Sequence, residues 1–145
     1  MLNLIITLAV IGAKVGCVIC IVAIILVVAV VGISLSGLFA IWASTQTDKF
    51  IGIASISGSL WYDEFVQRFS SLTVNPAVQK FFISFGDKEK KSKDQRMSTV
   101  EEATNQIVGI LKEKGFCVDF TMDEGTHFSS VIPRLQAAFN SLYCQ

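Results

Sequence analysis

Of the 12 lysines and arginines and the 12 aspartates and glutamates in this chain, only Lys14 lies ahead of Asp48. A stretch so poor in charge cannot form a water-facing surface, so Met1 to Thr47 must be covered by protein or by lipid. From Asp48 onward the composition is that of an ordinary soluble domain. The 145 residues suffice for one domain with a modest core. A formal net charge of zero provides no basic face for nucleic acid.

Two structures compete for the apolar third. Leu2 to Val31 as one helix would be about 45 Å long, more than the roughly 30 Å hydrocarbon layer requires. Lys14 would cost about 2.5–3.5 kcal/mol at the centre of a membrane. It divides the run into Leu2–Ala13, too short to span, and Val15–Ala43. No basic residue precedes the apolar core, which argues against a cleavable signal peptide. Ile24 to Val31, in contrast, is continuously apolar and rich in β-branched residues, as a central parallel strand is. This reading divides the chain into an apolar, helical segment over residues 1–23 and an α/β domain over residues 24–145. The first segment is a candidate membrane anchor in contact with lipid, with Lys14 snorkelling toward headgroups. The chain is then membrane-associated if that segment is its anchor, and cytoplasmic if it is not.

The cysteines add little chemistry. Cys17 and Cys20 form C-x-x-C inside the apolar run, without the polar setting that lowers a thiol pKa, so they read as buried small side chains. Pairing of Cys117 with Cys144 is left open. A metal site is not expected, because the single histidine, His127, lies far from any close cysteine pair.

Directly after the β-branched run comes Gly32-Ile33-Ser34-Leu35-Ser36-Gly37, and then the apolar Leu38 to Ala43. This is the pattern of a strand, a sharp turn and a helix, with a serine at the turn. A nucleophile elbow needs small residues two before and two after its serine, because the backbone crowds itself there. Gly32 meets the first requirement; Ser36 departs from the usual glycine, and Gly37 follows at once.

Downstream, strands and helices alternate. Ile51 to Ser57 reads as a second strand, and Phe65, Val66 and Phe69 mark a short helix. Lys80 to Phe85 is a third strand closed by Gly86, and Asp87 to Arg96 is a solvated loop. Ser98-Thr99-Val100-Glu101 has the form of a capping box. It opens a helix with Val100, Ala103, Ile107, Ile110 and Leu111 at helical spacing, ending at Gly115. Phe116, Val118, Phe120 and Met122 alternate as a fourth strand. After a turn at Gly125-Thr126-His127, a last helix carries Ile132, Leu135, Phe139 and Leu142 on one face. Such alternation predicts a parallel sheet with crossover helices and a ligand site at the strands' carboxyl ends. Ser34 follows the first strand, Asp87 and Glu89 the third, and His127 the fourth. Nucleophile, acid and base thus come in one chain order at one edge of the sheet.

The stretch from about Val30 to Leu142 resembles the enterochelin-esterase-like family of serine α/β-hydrolases. The resemblance lies in Gly32 to Ala40, Ile56-Ser57-Gly58-Ser59-Leu60-Trp61-Tyr62, Phe85-Gly86-Asp87-Lys88-Glu89 and Glu124-Gly125-Thr126-His127-Phe128. It implies a partial α/β-hydrolase fold and hydrolysis of a small-molecule ester through an acyl-enzyme, with no metal or organic cofactor. Ser34 is then the nucleophile, His127 the base and Leu35 the source of one oxyanion N–H. The acid is Glu89, by its distance from the strand-ending glycine, with Asp87 as the alternative. Trp61 and Tyr62 match an aromatic pair near the substrate. The family's first strands, and the loop that donates the second oxyanion N–H, have no counterpart here. This leaves a sheet edge open to self-association. It also defines the competing expectation, a truncated, membrane-associated hydrolase remnant without activity.

Overall fold

The β-branched and aromatic runs form four strands, β1 (Ala29–Ile33), β2 (Gly52–Ile56), β3 (Lys80–Gly86) and β4 (Cys117–Asp123), in the computed structural model. It describes residues 29–143; the anchor candidate, the apolar residues before Ala29, and Cys17, Cys20 and Cys144 fall outside that range. All four strands are parallel, in the order β1-β2-β3-β4. Ile33 pairs with Ile56, Ile56 with Ser84, and Gly86 with Asp123, so the carboxyl ends line up along one edge. β1 runs past the expected Val31 through Gly32 and Ile33, because its ladder with Ser55 and Ile56 continues to the serine.

Helices α1 (Leu35–Ala43), α2 (Phe65–Ser71) and α3 (Val100–Glu113) link successive strands, and α4 (Val131–Tyr143) follows the last. Period-two alternation sorts the strand side chains between two cores. On one face Val30, Ile53, Phe81, Ile83 and Phe120 pack against Ile41, Phe69, Ile107 and Leu111 of α1, α2 and α3. On the other, Val31, Ile33, Ala54, Ile56 and Phe82 pack against Leu135, Ala138 and Leu142 of α4. Each large side chain so buried contributes about 1.5–3 kcal/mol. α3 ends as Gly115 predicts: this residue takes φ +86°, its N–H donates to Lys112 O, and Phe116 N–H donates to Leu111 O.

Three local expectations are corrected. The capping box does not form: Met97–Thr99 makes a 3-10 turn that runs straight into α3, and Ser98 Oγ donates back to Gln95 O. Met122 is not a core residue but is 53% exposed, since only Val118 and Phe120 of β4 reach the α3 side. The inward face of α4 is centred on Arg134 and Ala138, while Ile132 and Phe139 are exposed. Among the described residues no helix is long and apolar enough to cross a membrane.

The tightest backbone contacts lie where β1 becomes α1. A Cβ on Gly32 would stand 2.0 Å from Ser36 O, and one on Gly37 would stand 2.8 Å from Ser55 Oγ and 2.9 Å from Gly58 Cα. Gly109 in α3, in contrast, has nothing within 4 Å of its added Cβ. Two substitutions of the same chemistry therefore have opposite expected signs. Gly109→Ala should raise stability by about 0.5–1 kcal/mol through helix propensity. Gly32→Ala should lose about 3 kcal/mol or more, because the obstacle is a carbonyl that cannot step aside. Urea unfolding midpoints check both, and equal midpoints would contradict the close packing of the turn.

Candidate active site

Among the described residues, backbone bonds alone hold Ser34. Its φ of 58° and ψ of −123° lie outside the regions an L-residue prefers, a strain characteristic of a nucleophile elbow. Ser34 N–H donates to Ile56 O at 3.0 Å, prolonging the β1–β2 ladder. Ser34 O accepts from Gly37 N–H at 2.9 Å and from Ser59 N–H at 3.0 Å. Leu35 is the first residue of α1, so its N–H has no acceptor within the helix and lies beside the serine at a helix N-terminus.

The other expected groups meet over β3. Glu89 lies in a 3-10 turn (Glu89–Lys91) just past the end of β3 and is only 6% exposed. Its Oε2 lies 3.0 Å from His127 Nδ1. Its Oε1 accepts from Gly86 N–H and from Ser57 Oγ, each at 2.6 Å. Burial pushes the Glu89 carboxyl up, but the hydrogen bonds from His127, Ser57 and Gly86 outweigh it and hold it below its ordinary 4.5. Asp87 is engaged elsewhere: its Oδ1 accepts from Gly125 N–H at 2.8 Å, which ties the end of β3 to the His127 turn. That bond, aided by Lys88 and Lys91, lowers the Asp87 pKa against a smaller opposing effect of desolvation. The carboxylate in contact with His127 is therefore that of Glu89.

Ser34 and His127 leave the sheet at its two outer strands, about 14 Å apart by strand spacing. The turn after β2 lies between them. Ser59 N–H holds Ser34 O and Ser57 Oγ holds Glu89, so this one turn is bonded to the serine on one side and to the acid on the other. Among the described residues the side-chain network ends at the ring, and no hydrogen bond joins His127 to Ser34 Oγ. In enzymes without substrate such bonds are often long and tighten only in the reacting complex.

A cleft of about 430 Å³ opens beside the pair, lined by Trp61, Met97, Val100, His127 and Phe128, with Lys88 and Lys91 among its polar groups. Trp61 thus borders the site. Tyr62 does not line this cleft: the Arg96 guanidinium lies 5.2 Å from its ring centroid and 5.7 Å from that of Trp61, and pairs with Asp63. No group of metal-ligating side chains occurs among the described residues.

Two participants were not foreseen. Ser57 has φ 47° and a buried hydroxyl, and Arg134 is 2% exposed. Arg134 Nη1 donates to Ser57 Oγ at 2.8 Å and lies 3.4 Å from Glu89 Oε1. Arg134 Nε is 3.2 Å from Asp123 Oδ2, close enough for an ion pair but not aligned as a hydrogen bond. The available signal was a lone arginine amid the apolar spacing of the last helix.

Comparison with known proteins adds the fold. No protein-family model matches the chain. It is 34% identical over 89 residues to the uncharacterized protein YbbA of Bacillus subtilis (strain 168), covering 61% of this chain and 36% of that protein. Among solved structures it resembles the siderophore hydrolase EstA from Aspergillus nidulans, with a TM-score of 0.56 at 23% identity. That match covers 75% of this chain and 44% of EstA. EstB from the same organism gives 0.56 at 19% identity over 79% of this chain and 48% of its own. The fold is shared. The chain spans less than half the length of each of these three proteins.

The Glu89 network generates a pH dependence. A carboxyl held below its ordinary pKa contributes stability that is fully present above the unfolded value and is lost as pH falls through the folded one. Stability should therefore decline as pH drops below about 4.5, and Glu89→Gln should flatten that decline. Urea unfolding at a series of acid pH values measures it; an unchanged slope in the variant would place the acid sensitivity in other carboxylates.

Proposed function

We propose that this chain carries the reacting groups of a serine esterase that cleaves small-molecule carboxylic esters through an acyl-enzyme. The observation that carries the reading is the 3.0 Å contact of Glu89 Oε2 with His127 Nδ1, at the sheet edge where Ser34 occupies a strained strand-to-helix turn. A carboxylate on Nδ1 keeps the proton there, so that Nε2 is the basic nitrogen. A serine hydroxyl hardly ionises near neutral pH and needs such a base. The likeness in fold to two siderophore hydrolases supports the same reading.

In the proposed reaction Ser34 Oγ attacks the ester carbonyl carbon while His127 Nε2 takes its proton. Glu89 stabilises the imidazolium that results. The negative oxygen of the tetrahedral intermediate is met by the Leu35 N–H at the start of α1. The intermediate collapses, the C–O bond to the alcohol breaks, and His127 returns the proton to the leaving oxygen. Water, deprotonated by the same ring, then releases the acid and restores Ser34. Trp61 and the apolar wall of the cleft are suited to an apolar part of the ester.

Hydrolysis of a short p-nitrophenyl ester tests the assignment. Ser34→Ala should reduce kcat by about 10⁴-fold or more, as removal of a triad nucleophile does. Glu89→Gln should cost about 10²- to 10⁴-fold by leaving the imidazole in the wrong tautomer. Asp87→Asn should cost less than about tenfold by comparison, since Asp87 braces the turn without touching the ring. Equal rates in the wild type and Ser34→Ala would remove Ser34 from the mechanism. A larger loss for Asp87→Asn than for Glu89→Gln would move the acid role to Asp87.

A further inference from the structure

We propose that Arg134, acting through the Ser57 hydroxyl, is a positioning residue that locks the Glu89 carboxylate onto His127. The inference rests on the esterase reading for its kinetic consequence, but its geometry stands apart from it. A serine hydroxyl has one proton and two lone pairs. With Arg134 Nη1–H directed at Ser57 Oγ, one lone pair is occupied and the O–H is free to point at Glu89 Oε1, 2.6 Å away. Glu89 Oε1 then holds two short hydrogen bonds, from Ser57 and from Gly86 N–H, with Nη1 itself at 3.4 Å. A carboxylate gripped this way cannot rotate, and its other oxygen is committed to His127 Nδ1.

The guanidinium sits in a pocket shaped for it. A Cβ on Gly86 would stand 2.7 Å from Arg134 Nη2, and Gly125, at φ +128°, turns the chain around the same group. Arg134 belongs to α4, Ser57 to the turn after β2, and Glu89 to the turn after β3. One side chain therefore brings together three elements that are separate in sequence, at the oxygen of the Glu89 carboxylate opposite the one that faces the imidazole. Burying a guanidinium is unfavourable unless it is paired, and its contacts here are Ser57, Glu89 and Asp123. Nε and Nη2 make no hydrogen bond among the described residues, so the hydrogen bonding of the guanidinium is concentrated in Nη1, on Ser57 and Glu89.

The test combines kinetics with NMR, and His127 as the only histidine makes the NMR assignment unambiguous. Ser57→Ala removes one hydroxyl and is the milder change; Arg134→Gln removes the charge and the fork. Each should lower kcat for a neutral p-nitrophenyl ester by about 10–100-fold with KM within about twofold, the pattern of a group acting on the transition state. The double variant should lose little more than the worse single one, because both act through one chain of bonds. In each variant the His127 Nδ1–H resonance should move upfield as its bond to Glu89 loosens, and Arg134→Lys should restore part of the shift. The NMR arm reads the positioning even if the wild type hydrolyses no ester, so failure of the esterase reading is distinguishable from failure of this one. An unmoved Nδ1–H resonance in folded Ser57→Ala, or losses of the two single variants that multiply in the double, would overturn the proposal.

Discussion

The crowding between Gly32 and Ser36 constrains the rest of the molecule. A strand can become a helix within one residue only if its backbone passes within contact of the helix's first turn, and Gly32 provides that room. Ser34 is left at φ 58°, a conformation that neither strand nor helix would choose. The cost is offset by bonds on both sides: the β1–β2 ladder ends on Ser34 N–H, and Ser59 N–H and Gly37 N–H fasten Ser34 O. Gly37 and Gly58 then pack against each other and around the Ser55 hydroxyl without side-chain bulk of their own, so the turn after β2 lies against the start of α1. The same turn carries Ser57, so the steric requirement at the serine also determines where the acid network is anchored.

From that anchor the electrostatics follow. Glu89 is buried, and a buried carboxylate is unfavourable unless its oxygens are filled. Ser57, Gly86 and His127 fill them, and together they hold the Glu89 pKa below its ordinary value against the upward push of burial. Asp87, two residues earlier, spends its carboxylate on the Gly125 N–H and so holds the His127 turn against the end of β3. Neighbouring acids thus divide two tasks, one bracing the turn and one facing the ring.

Much of this was legible in the sequence because it depends on local pattern. Alternating strand and helix periods yield the parallel α/β sheet that the structure has, and Gly115 marks the end of α3. The parts that were not legible depend on contacts between elements distant in the chain. Ser57 reads as a turn serine until β3 brings Glu89 beside it. Arg134 interrupts an apolar helix face for no local reason, and its reason lies at the ends of β2, β3 and β4. The Ser98–Glu101 box matched a local rule, but the 3-10 turn at Met97–Thr99 supplies a continuous entry into α3 and leaves the box no free N-terminus to cap. Met122 keeps the strand alternation yet stays exposed on the outer strand, although its partner Phe85 is buried.

Covalent labelling tests most directly the proposed activation of Ser34 by a base. A fluorophosphonate forms a stable adduct with a serine only when a neighbouring base takes its proton, and digestion followed by peptide mass spectrometry locates the modified residue. A single adduct is expected, on Ser34, formed in the wild type and strongly slowed in His127→Ala. An adduct on another serine, or equal labelling of Ser34 with and without His127, would contradict it; no adduct at all would leave a hydrolase-like fold without hydrolase chemistry.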